Sequence, residues 1–120
     1  MVRIGFAVAA AGVLAASAVG SASAGPSRSA VTPQTIAVGM SEFKFAVSPK
    51  IASKRLVVFA LKNNGTIGHD FRIGGKKTPV IAAGRRATLR VTFTKAGRYP
   101  YLCTLPSHAQ AGMKGVLVVR

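Results

Sequence analysis

The sequence predicts an all-β domain, an antiparallel Greek-key β-sandwich or barrel of about seven to eight strands. Short runs in which apolar and polar residues alternate recur along residues 35–120, as in strands that bury one face. Turn residues separate these runs. No stretch beyond residue 24 shows a helical apolar period over about eleven residues or more. These three observations exclude a helical bundle and favour a small sandwich.

The N-terminal residues have the pattern of a secretory signal peptide. Arg3 precedes an uncharged, Ala/Val-rich run from Ile4 to Ala24, and this run ends in Ala22-Ser23-Ala24, which is typical of a signal peptidase site. We predict cleavage after Ala24 and export to the periplasm or the extracellular space. The alternative is a retained N-terminal membrane anchor, since the 21 uncharged residues are long enough to span a bilayer.

The chain after Ala24 is long enough for one small domain. Its 96 residues divide into a Ser/Pro-rich tail, residues 25–34, and one domain, residues 35–120. Its single cysteine, Cys103, excludes an internal disulfide, although export places the chain in an oxidising compartment. Such a thiol is buried, paired between chains or bound to a metal.

Seven predicted strands follow from the apolar patterns. Most of them alternate, whereas Leu56–Leu61 is continuously apolar and predicts a strand buried on both faces. The clearest alternation places Leu89, Val91 and Phe93 on one face. In chain order the predicted strands are Thr35–Met40, Phe43–Val47, Leu56–Leu61, His69–Ile73, Leu89–Phe93, Tyr99–Cys103 and Gly115–Val119.

Glycine and asparagine mark the predicted turns between these strands. The signals are Asn63-Asn64-Gly65, Gly74-Gly75 and Ala96-Gly97, and residues 79–84 predict an irregular connection. Pro100 interrupts a predicted strand and has no N–H to donate. Its nitrogen should therefore face a gap, an edge or a bulge.

The chain is strongly basic. It has 17 Lys and Arg residues against two acidic residues, Glu42 and Asp70, and its net charge of +15 becomes +14 when Arg3 leaves with the signal. The scattered basic residues are consistent with a solvated surface and with attraction to acidic proteins or anionic membrane surfaces. Nucleic acid is not the expected partner, because the chain has no recognition-helix pattern and no aromatic residues interleaved with its charges.

The residue types that bind soft metals concentrate in one loop. Cys103, His108 and Met113 are spaced Cys-x4-His-x4-Met, and a five-residue step of about 500° cannot place them on one helical face. Each of the three, taken alone, is an ordinary core or polar residue. With His69 they make two imidazoles, a thiolate and a thioether, the donor set of a blue copper electron-transfer site. Zinc is disfavoured, since thioether is not among its usual ligands.

We expect no enzymatic activity. A Cys-His nucleophile pair needs an orienting residue, and the chain has only two carboxylates. A two-copper site of the oxidase type needs a second cysteine in the loop, and the sequence has a single cysteine.

Residues 35–120 resemble the cupredoxins, the small type 1 copper family that includes plastocyanin, azurin and rusticyanin, and the loop spacing is closest to rusticyanin. The matching residues are Asn63–Phe71, Tyr101–Cys103, His108 and Met113. The resemblance implies one type 1 copper ion, held by the His69 and His108 imidazoles, the Cys103 thiolate and, axially, Met113. It also implies a weak contact from the Gly68 carbonyl.

The residue after the first histidine ligand departs from the family pattern. Many cupredoxins have asparagine at this position, where the chain has Asp70. Its backbone N–H is expected to donate to the cysteine sulfur. We expect its side chain to pair with Thr104, the residue after Cys103.

By the same resemblance, we expect the protein to be a one-electron carrier that cycles between Cu(II) and Cu(I), and the signal segment implies that it is exported. His108 would carry the electron to the surface, and an acidic redox protein would dock on an apolar rim around it. The alternatives are an exported protein that binds or buffers copper without electron transfer and a metal-free interaction domain. We expect a monomer. The predicted docking rim consists of Leu105, Pro106, Ala109, Ala111 and Gly112.

Overall fold

A computed structural model describes residues 32–120, together with Gly5 and Gly12. The predicted signal segment, apart from these two glycines, and most of the predicted tail lie outside the described residues. Within the described part, no helix is long and apolar enough to span a membrane. The strands are β1 (Gln34–Ser41), β2 (Lys44–Ser48), β3 (Ile51–Ala52), β4 (Leu56–Asn63), β5 (Arg72–Ile73), β6 (Lys76–Lys77), β7 (Arg86–Thr92), β8 (Gly97–Leu102) and β9 (Lys114–Val119).

These strands form the two sheets of a β-sandwich, which confirms the predicted fold class. One sheet has the order β2-β1-β4-β7 and the other the order β3-β9-β8-β5-β6. Two pairs, β1 with β4 and β3 with β9, are parallel, so the sheets are mixed rather than wholly antiparallel. The parallel pairs arise because the chain crosses to the second sheet at β3 and returns to pair β4 beside β1. Strands β3, β5 and β6 have two residues each, which is too short for an alternating pattern.

The core lies between the sheets and is formed by alternate residues. In β1 the predicted face of Ile36, Val38 and Met40 is buried, which confirms that alternation. The prediction for Leu56–Leu61 was wrong in one respect, because burial alternates along β4 and Ala60 is exposed. A sandwich has only two layers, so the outer face of this sheet meets solvent even where the sequence is continuously apolar.

A group of aromatic side chains fills the core behind the predicted site. The Phe71 ring lies 5.4 Å from Phe45, 5.2 Å from Phe59 and 5.5 Å from Tyr101, measured between centroids. Such pairs stabilise by about 0.5–1.5 kcal/mol each beyond their burial. Because Phe71 comes two residues after His69, this packing anchors the segment that carries the histidine.

One predicted turn and the expectation for Pro100 are confirmed in the second sheet. Gly74 and Gly75 have φ of 58° and 76° and form the two-residue connection between β5 and β6. Positive φ at both central residues is characteristic of such hairpins, and glycine adopts it without strain. Pro100 lies beyond the last pair that joins β8 to β5, Tyr101 with Ile73, so β8 has a partner at Pro100 only on the β9 side.

Candidate metal centre

The predicted loop leaves one strand and returns to its neighbour at one end of the sandwich. Cys103 follows the last residue of β8, and Met113 precedes the first residue of β9. The Cys103 N–H donates to the Met113 carbonyl at 3.1 Å, and the Met113 N–H donates to the His108 carbonyl at 3.1 Å. The β8–β9 ladder therefore closes the loop and holds both ends of the Cys-x4-His-x4-Met spacing together.

Three predicted ligand atoms converge at this end. His69 Nδ1 lies 3.2 Å from His108 Nδ1, and Cys103 Sγ lies 3.5 Å from the same atom. All three atoms lie within 4.8 Å of one another. His69, Cys103 and Met113 are at most 1% exposed, whereas His108 is only partly buried. The structure thus brings together the residues that the sequence predicted, with one histidine nearer the surface than the other.

Successive backbone hydrogen bonds hold His108. Its N–H donates to the Leu105 carbonyl at 3.2 Å, and the Ala111 N–H donates to the Ser107 carbonyl at 3.0 Å. Gly112 has φ of 116°, and a β-carbon there would lie 3.3 Å from the Phe43 carbonyl oxygen. The loop is therefore compact in itself and packed against the turn between β1 and β2.

His69 lies on the connection between β4 and β5. The His69 N–H donates to the Ile81 carbonyl at 3.1 Å, and the Ile81 N–H donates to the His69 carbonyl at 2.7 Å. This isolated bridge replaces the predicted strand, since regular pairing covers only Arg72–Ile73. The alternation predicted for His69–Ile73 was wrong at its start, because His69, Asp70 and Phe71 are all buried. Regular pairing begins only at Arg72, so the two-residue alternation of a strand does not apply to His69, Asp70 and Phe71.

Asn63 braces the chain that leads to His69. Its buried amide nitrogen donates to the carbonyls of Ile67 and Ile81, each at 2.8 Å, and its oxygen accepts the Gly65 N–H at 2.9 Å. The sequence indicated a turn here, and the chain does turn. However, the bracing role of the side chain depends on Ile81, which is distant in sequence.

The predicted pairing of Asp70 with Thr104 is confirmed. The carboxylate, 1% exposed, accepts the Thr104 N–H at 2.6 Å and also accepts a hydrogen bond from the Thr104 hydroxyl. Lys77 Nζ lies 4.0 Å from the carboxylate. Since Asp70 follows one predicted ligand and Thr104 follows another, this contact joins the two ligand segments.

The environment of Cys103 acts on its thiol in two directions. Burial raises the pKa of the Cys103 thiol, and the nearby Asp70 carboxylate raises it further, while the backbone N–H groups of Asp70 and Leu105 donate to the sulfur and lower it. The contact from Asp70 agrees with the expectation for the residue after the first histidine. Donors to the sulfur favour the thiolate, which is the form that binds a metal.

Gly68 allows close packing beside His69. A β-carbon at this position would lie 2.7 Å from Val80 Cγ1. The contact of its carbonyl with the metal stays a prediction.

Two residues of the β1–β2 turn complete the site and were not predicted from the sequence. Glu42 Oε1 lies 3.2 Å from His69 Nε2, and the Phe43 ring packs edge-on against the His108 ring with 4.9 Å between centroids. Hydrogen bonds from the backbone N–H groups of Thr66 and Ile67 lower the pKa of Glu42 to about 2. The available signal was composition, because Glu42 is one of two carboxylates in a very basic chain.

The donor set agrees with copper. A carboxylate can only accept, so it favours the tautomer in which His69 Nε2 carries the hydrogen and Nδ1 presents its lone pair. That lone pair points to the place where the thiolate and the second imidazole converge. Two imidazoles, a thiolate and a nearby thioether suit copper better than zinc or a hard cation.

Comparison with known proteins agrees with this chemistry. Residues 30–120 match the family described as copper binding proteins, plastocyanin/azurin family. The copper-resistant cuproprotein CopI of Rubrivivax gelatinosus is 29% identical over 118 aligned residues, which cover 79% of this chain and 72% of the relative. A protein of the same name from Pseudomonas aeruginosa is 46% identical over 41 residues, 34% of this chain and 23% of that protein.

Solved structures show the same fold. Reduced auracyanin from Roseiflexus castenholzii superposes with a TM-score of 0.63 at 22% identity, covering 74% of this chain and 98% of auracyanin. Rusticyanin from Thiobacillus ferrooxidans gives a TM-score of 0.59 at 21% identity, covering 74% of this chain and 79% of rusticyanin.

Proposed function

The chain belongs to the plastocyanin/azurin family of copper-binding proteins, the cupredoxins, and on this premise we propose that it is an exported one-electron carrier. Copper supplies the Cu(II)/Cu(I) couple, and His69, Cys103, His108 and Met113 are its proposed ligands. The role of the protein is to hold these side chains in place, to exclude water and to offer a route for the electron.

The observation that carries this proposal is the unequal burial of the two histidines. His69 is fully buried, whereas His108 is partly exposed, with its Nδ1 in the donor cluster. A ring that touches the ligand cluster and also reaches the surface gives a short path for an electron. The thiol and the thioether are closed off from solvent, so His108 is the natural exit.

Rigidity of the ligand set supports the same role. A carrier works fast when its ligands move little between oxidation states. Here the loop is closed by the bonds between Cys103, Met113 and His108, and Asp70 joins the two ligand segments through Thr104. The sandwich would thus hold the ligands in one geometry in both oxidation states.

The docking surface is proposed around His108. The predicted rim is joined there by exposed apolar side chains at the same end of the sandwich, among them Phe43, 39% exposed, which packs on the His108 ring. Redox encounters use small, transient interfaces. With a net charge of +14 after loss of the signal, the partner is proposed to be an acidic redox protein.

The copper site is tested by adding Cu(II) to residues 25–120 and recording visible and EPR spectra. We expect an intense thiolate-to-copper band that is lost in Cys103→Ser. Thr88→Ser, an exposed position on β7, is a matched control that should leave the spectrum unchanged. If Cys103→Ser keeps the band, the ligand assignment is wrong.

The carrier role is tested with small oxidants of opposite charge. Oxidation of the reduced protein by hexacyanoferrate(III) should slow as salt is added, while oxidation by a cationic tris(phenanthroline)cobalt(III) complex should accelerate. If neither rate depends on salt, the charge does not steer partners to this surface. If the reduced protein is oxidised only over hours, the chain is not a carrier.

The name of the relatives favours a second candidate function, in which the protein binds and buffers copper without transferring electrons. Both curated relatives are called copper-resistant cuproproteins. A buffer binds Cu(I) tightly and has no stable Cu(II) form, whereas a carrier has a stable, coloured Cu(II) form that cycles reversibly. Cyclic voltammetry of the copper-loaded domain, together with Cu(I) competition, separates the two.

Export is part of the proposal. It is supported by the predicted signal segment ending at Ala24. N-terminal sequencing of the protein purified from the producing cells checks cleavage, and a retained N-terminus in the membrane fraction would favour the anchor instead.

A further inference from the structure

We propose that Glu42 is a positioning residue of the copper site, which fixes the orientation and tautomer of His69 and favours the Cu(II) state. This inference rests on copper binding at the proposed ligands and not on the carrier role.

The Glu42 carboxylate is held in place by groups other than His69. Oε1 accepts the Thr66 N–H at 2.7 Å and the Ile67 N–H at 3.0 Å. A β-carbon at Gly65 would overlap the carboxylate, since it would lie 2.8 Å from Oε2. The chain before His69 is therefore shaped around the carboxylate, which these backbone donors hold independently of His69.

From this position Glu42 sets the hydrogen of the His69 ring. Its Oε1 lies 3.2 Å from Nε2, while Nδ1 lies in the donor cluster. The ring is fully buried while Glu42, 28% exposed, lies between Nε2 and the surface, so the carboxylate is the acceptor that Nε2–H meets. The tautomer with its hydrogen on Nδ1 would place a proton where the metal binds and would leave the carboxylate facing a lone pair.

The charge of Glu42 favours the oxidised state. A thiolate and two neutral imidazoles leave one net positive charge on a Cu(II) site and none on a Cu(I) site. A carboxylate one imidazole ring away attracts the positively charged Cu(II) site and has little net interaction with the neutral Cu(I) site. The sequence has only two carboxylates, and both contact the segments that carry the proposed ligands, Glu42 through His69 and Asp70 through Thr104.

The experiment compares Glu42→Gln and Glu42→Ala with the parent protein. Glutamine keeps an acceptor of the same shape without the charge, whereas alanine removes both. Nitrogen-15 NMR of the histidine rings in the copper-free and Cu(I) proteins reports the tautomer directly. We expect Nε2–H in the parent and in Glu42→Gln, and a mixture of tautomers in Glu42→Ala.

The claim that Glu42 favours Cu(II) is tested by measuring the copper affinity and the reduction potential. Loss of a partner that orients a ligand costs about 10–100-fold in metal affinity, and we expect a loss of this size for Cu(II) in Glu42→Ala and a smaller one for Cu(I). If Glu42→Ala loses more affinity for Cu(II) than for Cu(I), its reduction potential rises by about 59 mV for each tenfold difference between these two losses. Glu42→Gln should raise the potential while keeping the tautomer.

Two further variants keep the test decisive if Glu42→Ala does not fold. Gly65→Ala displaces the carboxylate without changing any charge, and it should reproduce the change in tautomer. Thr92→Lys changes the net charge by +1, as Glu42→Gln does, but at an exposed position. Thr92 pairs with Leu56, at the end of β4 away from Asn63, and this variant should leave the potential nearly unchanged.

The proposal is overturned if Glu42→Gln and Thr92→Lys shift the potential equally, since net charge alone would then be responsible. It is also overturned if Glu42→Ala or Gly65→Ala keeps the parent tautomer and Cu(II) affinity and only unfolds more easily, because Glu42 would then be merely structural. Failure of the carrier proposal, in contrast, appears as slow oxidation kinetics with the tautomer and affinity effects intact.

Discussion

Replacing Asp70 with alanine should destabilise the copper-free protein strongly, although the residue lies at the end of the sandwich. Its carboxylate is 1% exposed and accepts two hydrogen bonds from Thr104, one from the N–H at 2.6 Å and one from the hydroxyl. Alanine removes the acceptor and leaves both donors of Thr104 without that partner. The contact between the two ligand segments is lost at the same time.

The size of the effect follows from the two hydrogen bonds. Hydrogen bonds to a charged group contribute about 1.5–3 kcal/mol each, so the pair contributes about 3–6 kcal/mol. The ion pair with Lys77 adds little, because Lys77 is 54% exposed and its Nζ lies 4.0 Å away. A domain of this size is stable by about 5–13 kcal/mol in total. Asp70→Ala should therefore remove a large part of the free energy of unfolding.

Guanidinium unfolding of copper-free Asp70→Ala and Asp70→Asn provides the measurement. Asparagine keeps an acceptor for the Thr104 N–H and a donor for its hydroxyl oxygen, so we expect a loss of only about 1 kcal/mol. A double-mutant cycle with Thr104→Ala isolates the hydroxyl and should give a coupling of about 1–3 kcal/mol. The reasoning is refuted if alanine costs less than about 1 kcal/mol, or if asparagine costs as much as alanine.

Three other variants or conditions test separate parts of the site. Met113→Leu should keep the blue colour and shift the potential, because the bond of the Met113 thioether to copper would be weak; visible spectra and voltammetry check this. Gly68→Ala should cost about 1–3 kcal/mol by overpacking against Val80, and Val80→Ala should restore most of the loss in urea unfolding. Copper at 100 times its Kd should stabilise the fold by about 2.7 kcal/mol, seen as a rise in Tm of roughly 10–20 °C that a chelator reverses; an unchanged Tm would contradict binding to the folded state.

The parts of the fold that could be predicted are those with a local signal. In β1 the alternation of Ile36, Val38 and Met40 depends only on neighbouring residues and on the pleat of a strand. Burial along β4 could not be predicted, because a continuously apolar strand looks the same whether one or two faces are covered. The parallel pairing of β1 with β4 was also missed, since it is set by the crossing of the chain at β3.

In the candidate site, too, the residues with a local sequence signal could be predicted and those placed by the fold could not. Cys103, His108 and Met113 lie on one loop, so their spacing could be recognised directly. Asp70 and Thr104 could be paired because each follows a predicted ligand. Glu42 and His69 are 27 residues apart on different connections, and nothing in either local sequence refers to the other. Their contact exists only because the β1–β2 turn and the segment after β4 reach the same end of the sandwich.

The placement of the two carboxylates separates two tasks that the proposed carrier would have to combine: attracting a partner from a distance and setting the charge next to the copper ligands. The basic residues cover the surface and act at a distance, where salt weakens them and where they can steer an acidic partner. Asp70 is buried, and Glu42 is held by backbone donors against a buried ring, so their effect on the ligands is screened much less. Raising the salt concentration should therefore change the association rate greatly and the potential only slightly. A potential that followed salt as steeply as the rate would mean that the surface charges, and not Glu42 and Asp70, set the electrostatics of the copper site.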